Sequence, residues 1–170
     1  IEDCDLTDVV EIPAEAAGTE GSSIYLRAGE KCTVEELLYG LMLRSGNDAA
    51  VALALHHSGS ISAFAHEMTV RAAFMGASDS VFSNPHGLPA AEHRTTARDL
   101  ALIAAHAMEN AVFRTIVSPR YYAPRGWTNK NKMLSTYDGA IGIKTGFTSE
   151  AGRCLVTGAE RNGMTVVSVV

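Results

Sequence analysis

Residues 140–152 read AIGIKTGFTSEAG. Ile141 and Ile143 alternate ahead of Lys144-Thr145-Gly146, so the tripeptide falls on a strand or at its end. A ligand laid alongside such a strand would meet backbone groups, a charge and a hydroxyl together, and Gly146 would let it come close because no Cβ intervenes. The tripeptide alone is equally compatible with an edge-strand lysine that discourages aggregation. A phosphate-binding loop is excluded, because it needs glycine directly before the lysine and position 143 is isoleucine. Two more β segments follow, Arg153 to Glu160 and Met164 to Val170, joined by Arg161-Asn162-Gly163, whose Asn-Gly pair signals a tight hairpin.

Upstream the pattern is helical. In TVEELLYGLMLRSGND, Thr33 and Glu36 form a capping box ahead of Leu37, Leu38, Leu41 and Met42, and this helix should end near Ser45-Gly46-Asn47. The run AAVALALHH from Asp48 is apolar all round and predicts a buried helix. Ser60 caps a third helix carrying Phe64, Met68 and Ala72, which Gly76 stops. Residues 78–96 hold two prolines and little periodicity, as expected of a long functional loop. Thr96 caps ARDLALIAAHAMEN, and a shorter apolar piece spans Val112 to Val117. The first thirty residues read as short strands and turns, Val9 to Ile12 and then Ile24 to Leu26. The chain is therefore an α+β unit: one domain over 1–170, helical at about 33–117, with an antiparallel sheet from about 140 to 170.

Composition narrows the functional classes. With 46% hydrophobic and 19% charged residues the chain can bury a core, and a net charge of −5 with scattered cations gives no footprint for nucleic acid. No apolar run reaches the roughly 18 residues of a membrane span. Cys4, Cys32 and Cys154 are read as buried free thiols, with a single disulfide as the alternative. Asp3, Asp5 and Asp8 imitate the start of a calcium loop, but its twelfth position is Ala14, so no metal and no cofactor are expected. The six histidines lack metal-ligand spacing, and His86 and His93 are read as shaping the long loop.

Ser45-Gly46-Asn47 can turn a hydroxyl and an amide into one cleft, or can simply cap the next helix. What separates the readings is the pair: S-x-N, then K-T-G about a hundred residues later, with helices between them. In these motifs, and in FSNPHGLP, HRTTARDLA, TNKNKML and GIKTGFTSEAGRCLVTGAERNG, the chain resembles the D-alanyl-D-alanine carboxypeptidases of the low-molecular-mass penicillin-binding proteins. The resemblance covers nearly the whole sequence. It implies a β-lactamase/transpeptidase-like fold, peptidoglycan stem peptides and β-lactams as partners, and an extracytoplasmic, cell-envelope location.

It also implies roles. Ser45 would relay a proton to the departing D-alanine and Asn47 would bind the substrate's peptide amide. Lys144 and Thr145 would receive the terminal carboxylate, Gly146 would admit the substrate, and the Phe147 N–H would form half of an oxyanion hole. The family's S-x-x-K nucleophile motif is missing: the residues three positions before Lys31, Lys130, Lys132 and Lys144 are Ala28, Trp127, Asn129 and Ile141. In the family that motif lies roughly sixty residues before S-x-N, whereas 44 residues precede Ser45. The expectation is a partial domain, truncated at both ends, inactive by itself and prone to self-association, with any membrane attachment in parts not included. Two alternatives stand beside it: a class A-like β-lactamase, and a non-catalytic wall-peptide-binding pseudoenzyme. The first is disfavoured because none of Glu67, Glu92 and Glu109 has asparagine four residues later.

Overall fold

A computed structural model describes all residues, 1–170. The chain runs β1 (Val9–Glu11), α1 (Ala14–Ala17), β2 (Lys31–Thr33), α2 (Val34–Arg44), α3 (Asn47–Ser58), α4 (Ile61–Phe74), α5 (Ala97–Ala107) and α6 (Ala111–Val117). It continues through the short pair β3 (Tyr121–Tyr122) and β4 (Trp127–Thr128), then α7 (Met133–Thr136), to β5 (Ala140–Thr148), β6 (Gly152–Arg161) and β7 (Met164–Val169).

The capping box of α2 forms as the sequence dictates: Thr33 Oγ1 accepts from the Glu36 N–H and the Glu36 carboxylate accepts from the Thr33 N–H, each at 3.1 Å. The helix then seats Leu37, Leu38 and Leu43 in the larger of two cores, with Val10 and Ile12 beside β1, Val51 of α3 and Ile116 of α6. α3 is sealed on nearly every side over Asn47–Ala52, as its even apolar spread requires. A smaller core, Ala104, Met108, Val117 and Ile143, fastens α5 and α6 to the sheet, and Met42 of α2 packs against both cores.

The sheet has the order β5-β6-β7, antiparallel throughout, so β5 is an edge strand. Asn162 and Gly163, both at positive φ (53° and 75°), make the expected tight turn between β6 and β7. Gly142 on β5 has φ +141°, and a Cβ there would lie 2.9 Å from Val117 Cγ2, so close docking of α6 on the strand requires glycine.

Two expectations need correction. Ile24 to Leu26 forms no strand: Tyr25 breaks the extension at φ 64°, and the N–H groups of Ile24 and Leu26 are taken by a side chain, donating to the Asp48 carboxylate at 3.1 Å. The strand partner of β1 is β2, in the register Val10↔Cys32. The cysteines are all free, but only Cys32 is buried; Cys4 is half-buried and Cys154 exposed.

Candidate active-site cleft

Ser45 sits where α2 has ended, in the left-handed conformation at φ 60°, ψ 38°. The Gly46 N–H donates back to the Gly40 carbonyl at 3.2 Å, closing the helix end around it. A non-glycine residue held there costs on the order of 1–2 kcal/mol, so the hydroxyl is retained against a local preference for glycine. Comparing Ser45→Gly with Ser45→Ala isolates this strain, since both delete the hydroxyl. The glycine variant should be the more stable by about 1 kcal/mol, about 2–4 °C in melting temperature. Equal melting temperatures would show that the turn is unstrained.

Neither Ser45 nor Asn47 caps α3; the N-cap is Gly46, with no side-chain bond. The Asn47 amide instead donates to the Glu20 carbonyl at 2.7 Å, while its backbone N–H donates to the Ser22 carbonyl at 2.7 Å. Next to it, Asp48 is 1% exposed. Its carboxylate accepts from Ser23 Oγ (2.6 Å) and from the N–H groups of Ile24, Leu26 and Ala49 (3.0–3.1 Å). The S-x-N turn thus holds residues 20–26 down as a lip of the cleft.

Lys144 comes from the opposite wall. Its Nζ donates to Ser45 Oγ, and to the Thr145 carbonyl at 2.7 Å. Burial, and then the neighbouring Lys130, pull its pKa down to about 8. Two motifs separated by 99 positions are therefore in direct contact.

On β5 the orientation of the backbone follows from the ladder. Leu155 exchanges both of its backbone bonds with Val170 at 2.8 and 3.0 Å, on the β7 side. Its partner across β6 and β5, Thr145, is therefore a non-hydrogen-bonded pair, and by alternation so is Phe147. The N–H and C=O of Thr145 and Phe147 consequently point out of the sheet edge, where an extended peptide could add as a further strand.

Gly146 differs from Gly142. Its φ is not positive, and an added Cβ would meet only Cys154, at 3.6 and 4.0 Å. The fold does not demand glycine here, which leaves room for a ligand as the reason for it. Gly146→Ala should melt within about 1 kcal/mol of the parent yet bind an extended peptide at the β5 edge at least about tenfold more weakly. Unchanged affinity would remove Gly146 from the site.

The remaining wall was only partly legible. The long loop carries His86, Gly87 and Leu88 to the cleft and is pinned by buried side chains. Asp99 Oδ2 accepts from the Asp79 N–H (2.9 Å) and Ser80 Oγ (2.8 Å), while Asn84 Oδ1 accepts from the Gly87 N–H (2.7 Å). His86 and His93 accept from Leu88 and Ser83 N–H groups through Nδ1, and burial lowers both their pKa values. Sequence reasoning missed Ser22 and Lys130. Lys130 donates from Nζ to Ser22 Oγ (3.2 Å) and from its N–H to the Leu43 carbonyl (3.0 Å). The available signal was Asn129-Lys130-Asn131, a lysine between two side chains suited to bonding the backbone. All six expected site residues, Ser45, Asn47, Lys144, Thr145, Gly146 and Phe147, line a single cleft of about 920 Å³, and the linking Gly46 is buried behind them.

The sequence profile of the D-alanyl-D-alanine carboxypeptidase family matches residues 2–170. The chain belongs to that family. It is 40% identical over 167 residues to the D-alanyl-D-alanine carboxypeptidase of Streptomyces sp. (strain K15), covering 88% of this chain and 57% of that protein. To the carboxypeptidase DacF of Bacillus subtilis it is 34% identical over 172 residues, covering 97% and 44%. The chain thus spans about half the length of these curated relatives. Among solved structures, the carboxypeptidase DacD of Francisella tularensis superposes with a TM-score of 0.90 at 30% identity, over 99% of this chain and 54% of that one. The Streptomyces K15 DD-transpeptidase does so at 0.92 and 36%, over 100% and 73%. The α+β architecture is that of the DD-peptidases.

Proposed function

We propose that these residues form two walls of a serine D-alanyl-D-alanine carboxypeptidase site, in which the complete protein removes the terminal D-alanine of peptidoglycan stem peptides through an acyl-enzyme. The observation that carries this reading is the Lys144 to Ser45 contact across the cleft. A substrate strand laid on the β5 edge would place its terminal carboxylate at the third N–H of Lys144 and the Thr145 hydroxyl. Its carbonyl oxygen would meet the outward Phe147 N–H as negative charge develops. Asn47 would hold the peptide amide on the other side. Lys144, half-deprotonated near pH 8, can pass a proton through Ser45 to the departing amine.

The attacking hydroxyl would come from a Ser-x-x-Lys that these 170 residues do not contain, so the chain alone should not turn over. The substrate's location makes the site extracytoplasmic, and the same carbonyl geometry would admit a β-lactam. None of Glu67, Glu92 and Glu109, the glutamates between the two motifs, lines the cleft, which speaks against the β-lactamase alternative. In the test, the complete protein is offered a stem pentapeptide and a labelled β-lactam. Release of D-alanine and covalent labelling are expected, with neither from the 170 residues alone. Labelling of the 170-residue chain would overturn the assignment of the nucleophile, and rapid β-lactam hydrolysis by the complete protein would overturn the carboxypeptidase.

A further inference from the structure

The loop over residues 78–96 is closed on itself by two half-buried imidazoles. His93 Nδ1 accepts from the Ser83 N–H at 3.1 Å, beside the bridge in which Val81 and Arg94 exchange backbone bonds at 2.9 Å, so it fastens the two ends of the loop together. Phe82 stands edge-on to the same ring, with centroids 5.8 Å apart. At the tip, His86 Nδ1 accepts from the Leu88 N–H at 3.2 Å. Asn84 completes that turn: its Oδ1 accepts from the His86 and Gly87 N–H groups (3.3 and 2.7 Å) and its Nδ2 donates to the Leu88 carbonyl (2.8 Å). The turn sets Leu88 against the lip. A Cβ placed on Gly21 would lie 3.7 Å from Leu88 Cδ2 and 2.7 Å from Asn47 Nδ2, so Leu88 packs on the lip close to the Asn47 amide.

A ring nitrogen accepts a hydrogen bond only while it carries no proton. Both contacts therefore require the neutral ring with its hydrogen on Nε2, and an imidazolium would set donor against donor at each. The surroundings offer little to offset a positive charge. Glu92 pairs with Arg94 at 3.2 Å. On α5, Asp99 holds the Asp79 N–H and the Ser80 hydroxyl, with Arg98 3.7 Å away. On α4, Glu67 faces His57 and Arg71 faces Glu2. The lip meets Asn47 through the Glu20 carbonyl, and Asp48 is turned to the lip's own donors. Across the cleft from His86 the charged side chains are cations, Lys130, Lys132, Lys144 and Arg153. Burial holds both imidazoles below the ordinary value of 6.5, and at His86 the neighbouring His93 adds to the effect. In an opened loop the rings return to that value. Below it the open form binds the extra protons, so closure is fully supported above pH 6.5 and is lost as pH falls through the lower values of the closed loop.

We propose that this loop is a pH-sensitive wall of the cleft: it is closed while His86 and His93 are neutral acceptors, and their protonation releases the 83–93 fastening and the 86–88 tip, loosening Leu88 from the lip at Asn47. Substrate is then gripped at neutral pH and let go in acid. The wall stands on the loop's own geometry, whereas what it grips rests on the carboxypeptidase reading.

Amide exchange of the complete protein, followed between pH 7.5 and 5 and corrected for the intrinsic rate, tests it. Protection of residues 83–88 should fall about tenfold or more relative to α5, and KM for a D-alanyl-D-alanine peptide should rise at least about threefold as the competent fraction falls. Asparagine puts an acceptor oxygen near the Nδ1 position and does not titrate. The variant His86→Asn with His93→Asn should therefore keep the loop protected and lose both trends, while His86→Ala with His93→Ala should exchange fast at every pH. Protection that ignores pH in the parent, or a trend that survives in the asparagine variant, would overturn the wall. Opening with a constant KM would overturn its grip on substrate. Opening with no D-alanine release at any pH would remove the carboxypeptidase reading and leave the wall standing.

Discussion

Asp48→Ala should destabilise the chain by about 3–5 kcal/mol, because it leaves several buried donors without an acceptor at once. The Ile24, Leu26 and Ala49 N–H groups and the Ser23 hydroxyl all converge on this one carboxylate. In the folded protein Asp48 is 1% exposed, so these donors depend on its carboxylate rather than on bulk water. The damage should be local as well as global: amide exchange at residues 22–26 should accelerate before that of α2. Asp48→Asn keeps the shape and part of the accepting capacity, so it should fall between the parent and the alanine variant. A urea midpoint for Asp48→Ala that matches the parent would mean the lip is held by something else.

The second large effect concerns Lys144. Lys144→Met in the complete protein should lower D-alanine release and β-lactam acylation by about 10³-fold or more, the scale of removing an electrostatic group aligned with the reacting atoms. Stability should hardly change, because a desolvated charge disappears with it. The pH dependence is more discriminating. An unfolded lysine releases its proton near 10.5 and folded Lys144 at about 8. Between these values the unfolded chain binds the extra proton, so the Lys144 contribution to stability rises with pH across the window and is lost as pH falls through 8. Activity that needs the ammonium to hold a carboxylate should run the other way, declining above pH 8. Lys144→Met should abolish the stability trend, which chemical denaturation at pH 7.5, 9 and 10 can measure. A parent protein with flat stability over that range would show that Lys144 is not desolvated as the geometry requires.

How much of this was readable depended on whether a feature is local. The α2 capping box, the Asn162-Gly163 turn and the Ser60 and Thr96 caps are short-range chemistry, and each formed where the sequence put it. Ile24 to Leu26 looked like a strand because its residues favour extension. What satisfies its backbone is a carboxylate more than twenty positions away, and no local pattern announces that. β3 and β4 are two residues each, too short for periodicity to register. The paired motifs gave Ser45, Asn47 and Lys144 to Phe147. Ser22 and Lys130 were missed because the chain brings them together over 108 positions, with no periodic pattern at either end.

One helix ties these observations together. α2 fills the larger core with Leu37 and Leu43, touches the smaller one through Met42, and ends at Ser45. Its inclination therefore sets the gap between the serine turn and the strand bearing Lys144. Anything that wedges or shrinks Met42 would open or close the mouth of the pocket without touching a residue that meets substrate. In the same way, a ligand gripping both walls would brace the two cores against each other, and its occupancy would register as resistance to heat throughout the molecule.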